Sequence, residues 1–128
     1  MQHLLLIAIG GMAGALSRYA LSKWIYRAVN DVFPWGTLAV NLSGSLLIGV
    51  LFELFEQTVI PTDLRSLVAI GFLGSYTTFS TYTLETVSLL REGELRLCLA
   101  NVALSNVLGL MLVVMGMHGA RLLIKAIR

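Results

Sequence analysis

Residues 71–85 read "GFLGSYTTFSTYTLE", from Gly71 to Glu85, and how these fifteen positions are read decides the fold. Apolar runs flank them on both sides, yet they hold two glycines, two serines, four threonines, two tyrosines and a glutamate. Gly71 and Gly74, followed by Ser75, threaten helix continuity, and Thr77 with Thr78 adds residues of poor helix propensity. In lipid, backbone released from a helix persists only where it is buried in protein or lines water. The pattern predicts a membrane helix from Leu64 to Leu90 that is broken near its middle. Its freed carbonyls would be hard oxygen ligands of the kind that suits a small cation. An unbroken helix is the alternative, since glycine is common in membrane helices.

Beyond the break, helical spacing places Thr77, Thr81, Glu85 and Ser88 on one face and Phe79, Tyr82 and Thr86 on a largely opposite one. The hydroxyl face offers a line of hydrogen-bond donors that can replace an ion's water in steps. The rings can present positive edges to an anion or simply pack, and both readings stand on the residues alone. Glu85 is the one acid read as lying well inside an apolar run. Such a carboxylate is protonated, bonded by neighbouring hydroxyls, or in contact with water.

The rest of the chain sets the solvent. Of its 128 residues, 57% are hydrophobic and only 12% charged, with a mean hydropathy of +0.84. Soluble domains carry about a quarter charged residues, and a chain this short cannot hide so much apolar surface from water. This excludes a soluble enzyme, and no nucleophile–base pair or phosphate-cradling loop is evident. The net charge of +2 is scattered, so no basic patch predicts a nucleic-acid partner. Cys98 is alone, and His3 and His118 have no companion at metal-ligand spacing. The N-terminal "MQHLLLIAIGGMAGALS" mimics a signal peptide but lacks its basic leading segment, and is expected to belong to the mature protein.

Four apolar stretches approach the ~20 residues a bilayer helix needs: Leu4 into Trp24–Tyr26, Trp35 to Phe52, Leu64 to Leu90, and Leu97 to Ala120. The expected fold is an all-α integral membrane protein, one domain of four transmembrane helices across residues 1–128. Loop-end basic residues divide evenly. Lys23, Arg27, Arg91 and Arg96 fall on one side, and Arg65, Arg121, Lys125 and Arg128 on the other. The positive-inside rule then selects no orientation, which predicts insertion both ways. Small residues at close-packing spacing (Gly10 and Gly14, Ser45 and Gly49, Ser105 and Gly109) predict an antiparallel dimer. Arg18 within the first span either snorkels to the interface or draws anions to a vestibule. Asn41, Asn101 and Asn106 are interhelical glue or pathway lining.

"GGMAGALSRY", "GTLAVNLSG" and "GFLGSYTTFSTYTLE", in this order over four short spans, resemble the Fluc (CrcB) fluoride channel family across essentially the whole chain. The resemblance implies an antiparallel, dual-topology homodimer in the cell inner (plasma) membrane, with two narrow pores that let fluoride leak out passively. HF crosses the membrane as a neutral acid and fluoride accumulates where the pH is higher; the channel relieves that toxicity. By the same resemblance Phe79 and Tyr82 are the pore aromatics and Asn41 the pore asparagine. Ser80 and Thr81 form a polar track, Glu85 is the acidic position after it, and Arg18 lies at the vestibule. The backbone carbonyls of Gly74 and Thr77 from two subunits would hold one structural Na⁺ at the dimer interface.

Three departures accompany the likeness. Tyr82 stands where the family usually has phenylalanine, and Ser75 replaces the second of two glycines. Leu110 follows Gly109 where a serine is common, which would remove a hydroxyl from one end of the pore. These departures leave one subunit of a heterodimeric fluoride channel as an alternative. A small multidrug-type, proton-coupled transporter is the other; it needs a carboxylate in the first span, which here holds Arg18 and no acid.

Overall fold

The computed structural model describes residues 1–57 and 60–127. Helix α1 is Gln2–Ala28 and α2 is Trp35–Gln57. Helix α3 covers residues 62–76 and is π-helical over Ser66–Leu73. Helix α4 is Phe79–Arg91. Helix α5 is Leu95–Ile127, with a π-helical stretch at Leu104–Leu108. Among the described residues, three helices are long and apolar enough to cross a membrane unaided: α1, α2 and α5. The third apolar stretch is delivered as α3 and α4, each shorter than a bilayer-spanning helix. Together they are the expected third helix, broken at its middle.

The bundle pairs alternate helices side by side in the same direction. α1 lies along α3, from Gln2 beside Asp63 to Gly14 against Phe72. α2 lies along α5, with Gly49 against Val113 and Glu53 bonded to Arg121. Both pairs depend on absent side chains. A Cβ at Gly14 would collide with the Phe72 carbonyl oxygen, and one at Gly116 with the Leu46 carbonyl. This corrects one expectation. Gly10, Gly14 and Gly49 seat neighbouring helices of the same chain, so they are not free to form a dimer face. Ser45 likewise lies beside Gly109 within the chain.

The core is small, as a lipid-solvated bundle allows. Val40, Leu73 and Tyr76 are buried, with Leu21, Leu51 and Phe72 packed on them. Tyr76 stacks on Phe72 at 5.5 Å between ring centroids, and its hydroxyl meets the Ser43 hydroxyl at 2.8 Å. Most other large apolar side chains face outward, where acyl chains solvate them at no cost.

The connections are built for the interface. Between α1 and α2, the Asp31 carboxylate accepts hydrogen bonds from the Trp35 indole N–H at 3.0 Å and the Val32 N–H at 2.7 Å. The indole bond, then the amide bond, holds the Asp31 carboxyl below the usual carboxylate range. Between α4 and α5, Gly93 adopts φ 82°, which a side chain would resist. Arg128, one of the residues in the charge balance, lies outside the described residues, as does part of the connection between Glu53 and Thr62.

Candidate functional site

The helix leaves its ladder at two residues. Thr77 has ψ 156° and Thr78 has φ −148°, ψ 111°. Gly71 and Gly74, which the sequence marked as threats to continuity, are both helical. The break therefore falls at Thr77-Thr78, three residues past the last glycine. The physical reason is Asn41 on α2. Its Oδ1 accepts the Thr78 N–H at 2.8 Å and its Nδ2 donates to the Thr78 carbonyl at 3.0 Å. One amide side chain thus replaces the backbone acceptor that the Thr78 N–H loses, as a buried peptide group requires, and adds a second donor to a carbonyl that also takes the first bond of the next helix.

Thr78 also caps the helix that follows. Its Oγ1 accepts the Thr81 N–H at 3.3 Å and meets the Thr81 hydroxyl at 2.9 Å and the Ser80 hydroxyl at 3.4 Å. This is an N-cap of the usual threonine kind, and the sequence reading missed its role. Thr78 is the residue that ties Asn41, Ser80 and Thr81 into one hydroxyl cluster.

The same bonds strip two carbonyls of their partners. In a continuous helix the Gly74 carbonyl would accept from the Thr78 N–H, which donates to Asn41 instead. The Thr77 carbonyl would accept from the Thr81 N–H, which turns to the Thr78 hydroxyl. These are the two carbonyls that the resemblance assigns to Na⁺. Neutral oxygens released from a helix, one of them on the exposed Gly74, fit a hard monovalent cation.

Phe79, Tyr82, Asn41, Gly74 and Thr77 line one open cavity of about 410 Å³. The Phe79 and Tyr82 rings are tilted by 49° with centroids 5.6 Å apart, and Phe79 stays 76% exposed at the mouth. The Tyr82 hydroxyl accepts from Asn106 Nδ2 at 3.1 Å, so α5 holds its oxygen while its own O–H is left to donate. From α5 the cavity takes Ser105 and Asn106. Leu110 does not reach it: it is 71% exposed, beside Met111 and Met115. The hydroxyl that α5 offers comes from Ser105.

Four expected residues, Ser80, Thr81, Glu85 and Arg18, are not part of this cavity's lining. Thr77 lines it, but its extended backbone places it at the break, so it does not continue the Thr81–Glu85–Ser88 face. Glu85 lines a second cavity of about 300 Å³ with Ser88 and Glu92. Its Oε1 accepts from the Thr37 hydroxyl at 2.8 Å and from the Tyr26 hydroxyl at 2.9 Å, which identifies the hydroxyls expected around it. Arg18, on α1, belongs to neither cavity.

One polar pair escaped the sequence reading. Glu53 is 2% exposed inside α2, and its carboxylate takes Arg121 Nε at 2.7 Å and a second guanidinium bond at 3.2 Å. Both residues had been placed at loop ends, where charges are ordinary. Asn101, also 2% exposed, donates to the Thr86 hydroxyl at 2.8 Å and ties α5 to α4 as interhelical glue.

Residues 5–117 match the family profile "CrcB-like protein, Camphor Resistance (CrcB)". Three similar proteins share one name, "Fluoride-specific ion channel FluC". That of Salinibacter ruber is 52% identical over 116 residues, covering 91% of this chain and 87% of the relative. That of Magnetococcus marinus is 44% identical over 118 residues, covering 91% and 96%. That of Hahella chejuensis is 44% identical over 123 residues, covering 95% and 97%. With the profile matched over most of its length and relatives aligned nearly end to end, the chain belongs to the CrcB-like family.

Proposed function

We propose that this chain is a fluoride-selective channel of the cell's inner (plasma) membrane, conducting F⁻ passively outward. The observation that carries the reading is the break at Thr77-Thr78. A helix interrupted inside an apolar span is stable only beside protein or water, and here it opens onto a cavity edged by two aromatic rings and several hydroxyls. Fluoride is small and strongly hydrated, so a path for it must supply donors that replace water in steps. The cluster of Thr78, Ser80 and Thr81 offers such donors, and the Phe79 and Tyr82 ring edges carry the positive side of the aromatic quadrupole. The relatives' name supplies the ion.

The working unit in this reading is an antiparallel homodimer with two pores. The four-to-four balance of basic residues supports it, because it leaves each copy free to insert either way. The open side of the 410 Å³ cavity supports it too, since a second copy would close the groove. Carbonyls of Gly74 and Thr77 from both copies would hold one Na⁺, whose charge would offset their convergent dipoles. Arg18 would raise the local anion concentration at the vestibule. The heterodimer alternative loses part of its motive, since Leu110 faces away from the cavity. A proton-coupled multidrug transporter lacks its carboxylate in α1.

The test is fluoride efflux from liposomes holding this polypeptide alone, read by a fluoride electrode with a potassium shunt. Rapid fluoride release beside silent chloride vesicles is expected. No release from well-folded protein would refute the self-sufficient channel.

A further inference from the structure

Tyr26, on α1, meets Glu85 in a constellation that neither the relatives' name nor the aromatic cavity accounts for. Its hydroxyl donates to Glu85 Oε1 at 2.9 Å, and the Thr37 hydroxyl donates to the same oxygen at 2.8 Å. The two hydroxyls are 3.2 Å apart, so three helices close on one carboxylate oxygen. The other oxygen, Oε2, is buried without a protein partner. The carboxyl group therefore has one oxygen pinned by two hydroxyls and one buried without a partner, in a residue that lines a cavity of about 300 Å³.

The ring that carries this hydroxyl has a seat made for it. A Cβ at Gly36 would come within 2.5 Å of Tyr26 Cε2 and 2.8 Å of its Cζ. Gly36 is thus the space into which the ring lies, at the first turn of α2 and next to Thr37. A side chain at position 36 would push the ring, and with it the hydroxyl, off Glu85.

We infer that Tyr26, seated on Gly36, is a positioning residue for the pore: it fixes the Glu85 side chain in the wall of the cavity of about 300 Å³, which we assign to the ion path. The inference rests on the fluoride-channel reading and adds to it a residue from α1. It predicts that the Tyr26 hydroxyl matters through Glu85 and jointly with Thr37. Loss of one hydrogen bond to a carboxyl group is enough to change a rate by up to about tenfold.

The experiment compares fluoride efflux from vesicles holding the wild-type chain, Y26F, T37V, Y26F/T37V, G36A and the control Y19F, whose hydroxyl only accepts from Lys23. Y26F keeps the ring on Gly36 and should slow efflux about tenfold, while Y19F leaves it unchanged. With the companion donor gone, Y26F should slow the T37V channel by a larger factor than it slows the wild type. A side chain that merely packs would cost the same factor in both backgrounds. G36A should match Y26F, and where it does not fold the Y26F and T37V comparison still decides. Wild-type efflux with Y26F equally fast, or equal Y26F factors with and without Thr37, overturns the inference alone. Silent wild-type vesicles overturn the channel reading beneath it.

Discussion

At residue scale the molecule turns on Asn41. Its amide accepts the Thr78 N–H that the break takes off the helix ladder and donates to the Thr78 carbonyl, so it is a structural part of the break as well as a wall of the cavity. Replacing it with alanine leaves the buried Thr78 N–H without an acceptor, at a cost of about 1–3 kcal/mol. N41A should therefore lower the thermal midpoint of the purified protein as well as the flux; a variant of unchanged midpoint would mean the two bonds do not hold the break. Tyr82 is a contrasting case. Its hydroxyl accepts from Asn106, a neutral bond worth about 1 kcal/mol. Y82F should keep the ring in place, lower stability by about that amount, and leave fluoride efflux within about tenfold of wild type. Collapse of the flux would show that the hydroxyl itself serves the ion.

At the scale of elements, helices touch where side chains are missing. Gly14 lets α1 reach the Phe72 carbonyl, and overfilling such a contact costs about 1–3 kcal/mol. G14A should destabilise the protein by that order, read by thermal unfolding in detergent, with the damage at the α1–α3 contact. The pair of α2 and α5 carries a different lock, the Glu53–Arg121 ion pair. The Glu53 side chain is 3% exposed and that of Arg121 48%, so removing Arg121 leaves a buried carboxylate uncompensated, whereas removing both partners can be nearly neutral. R121L should therefore lower the unfolding midpoint more than E53L/R121L does. The reverse order would show that the pair contributes attraction rather than mutual tolerance. The loop before α2 responds to pH. Asp31 is held below its unfolded carboxyl value, so its contribution is present above that value and is lost as pH falls through the lowered one. Trp35 fluorescence in a W24F background should shift in that acidic window and stay flat in D31N.

For the whole molecule, the balance of loop-end basic residues is the property that a dimer of opposed copies requires. Adding two lysines to the connection between α4 and α5 should drive every copy into one orientation. Expressed alone, that variant should conduct no fluoride. Co-expression with a variant biased the other way should restore conduction, and full conduction by the first variant alone would exclude opposed copies. The proposed Na⁺ belongs to the same scale. If Gly74 and Thr77 carbonyls hold it between copies, replacing Na⁺ with a large organic cation removes the stabilisation that ligand binding confers and lowers the unfolding midpoint.

By itself the sequence determined what is local. Hydropathy and span length set the membrane class, the four apolar stretches and the charge balance, and the run from Gly71 to Glu85 announced that a helix must fail there. Only the tertiary structure decided where and why. The break sits at Thr77-Thr78 because Asn41, 37 residues away, offers a better partner than the ladder does. Glu85 is held by Tyr26 from 59 residues away, and Glu53 by Arg121 from 68. Periodicity reports which way a side chain faces along its own helix, but a hydrogen-bond partner on another helix depends on how the bundle packs. In lipid, where an unpaired polar group has no water to turn to, that packing settles which polar residues cluster around the break and which merely hold helices together.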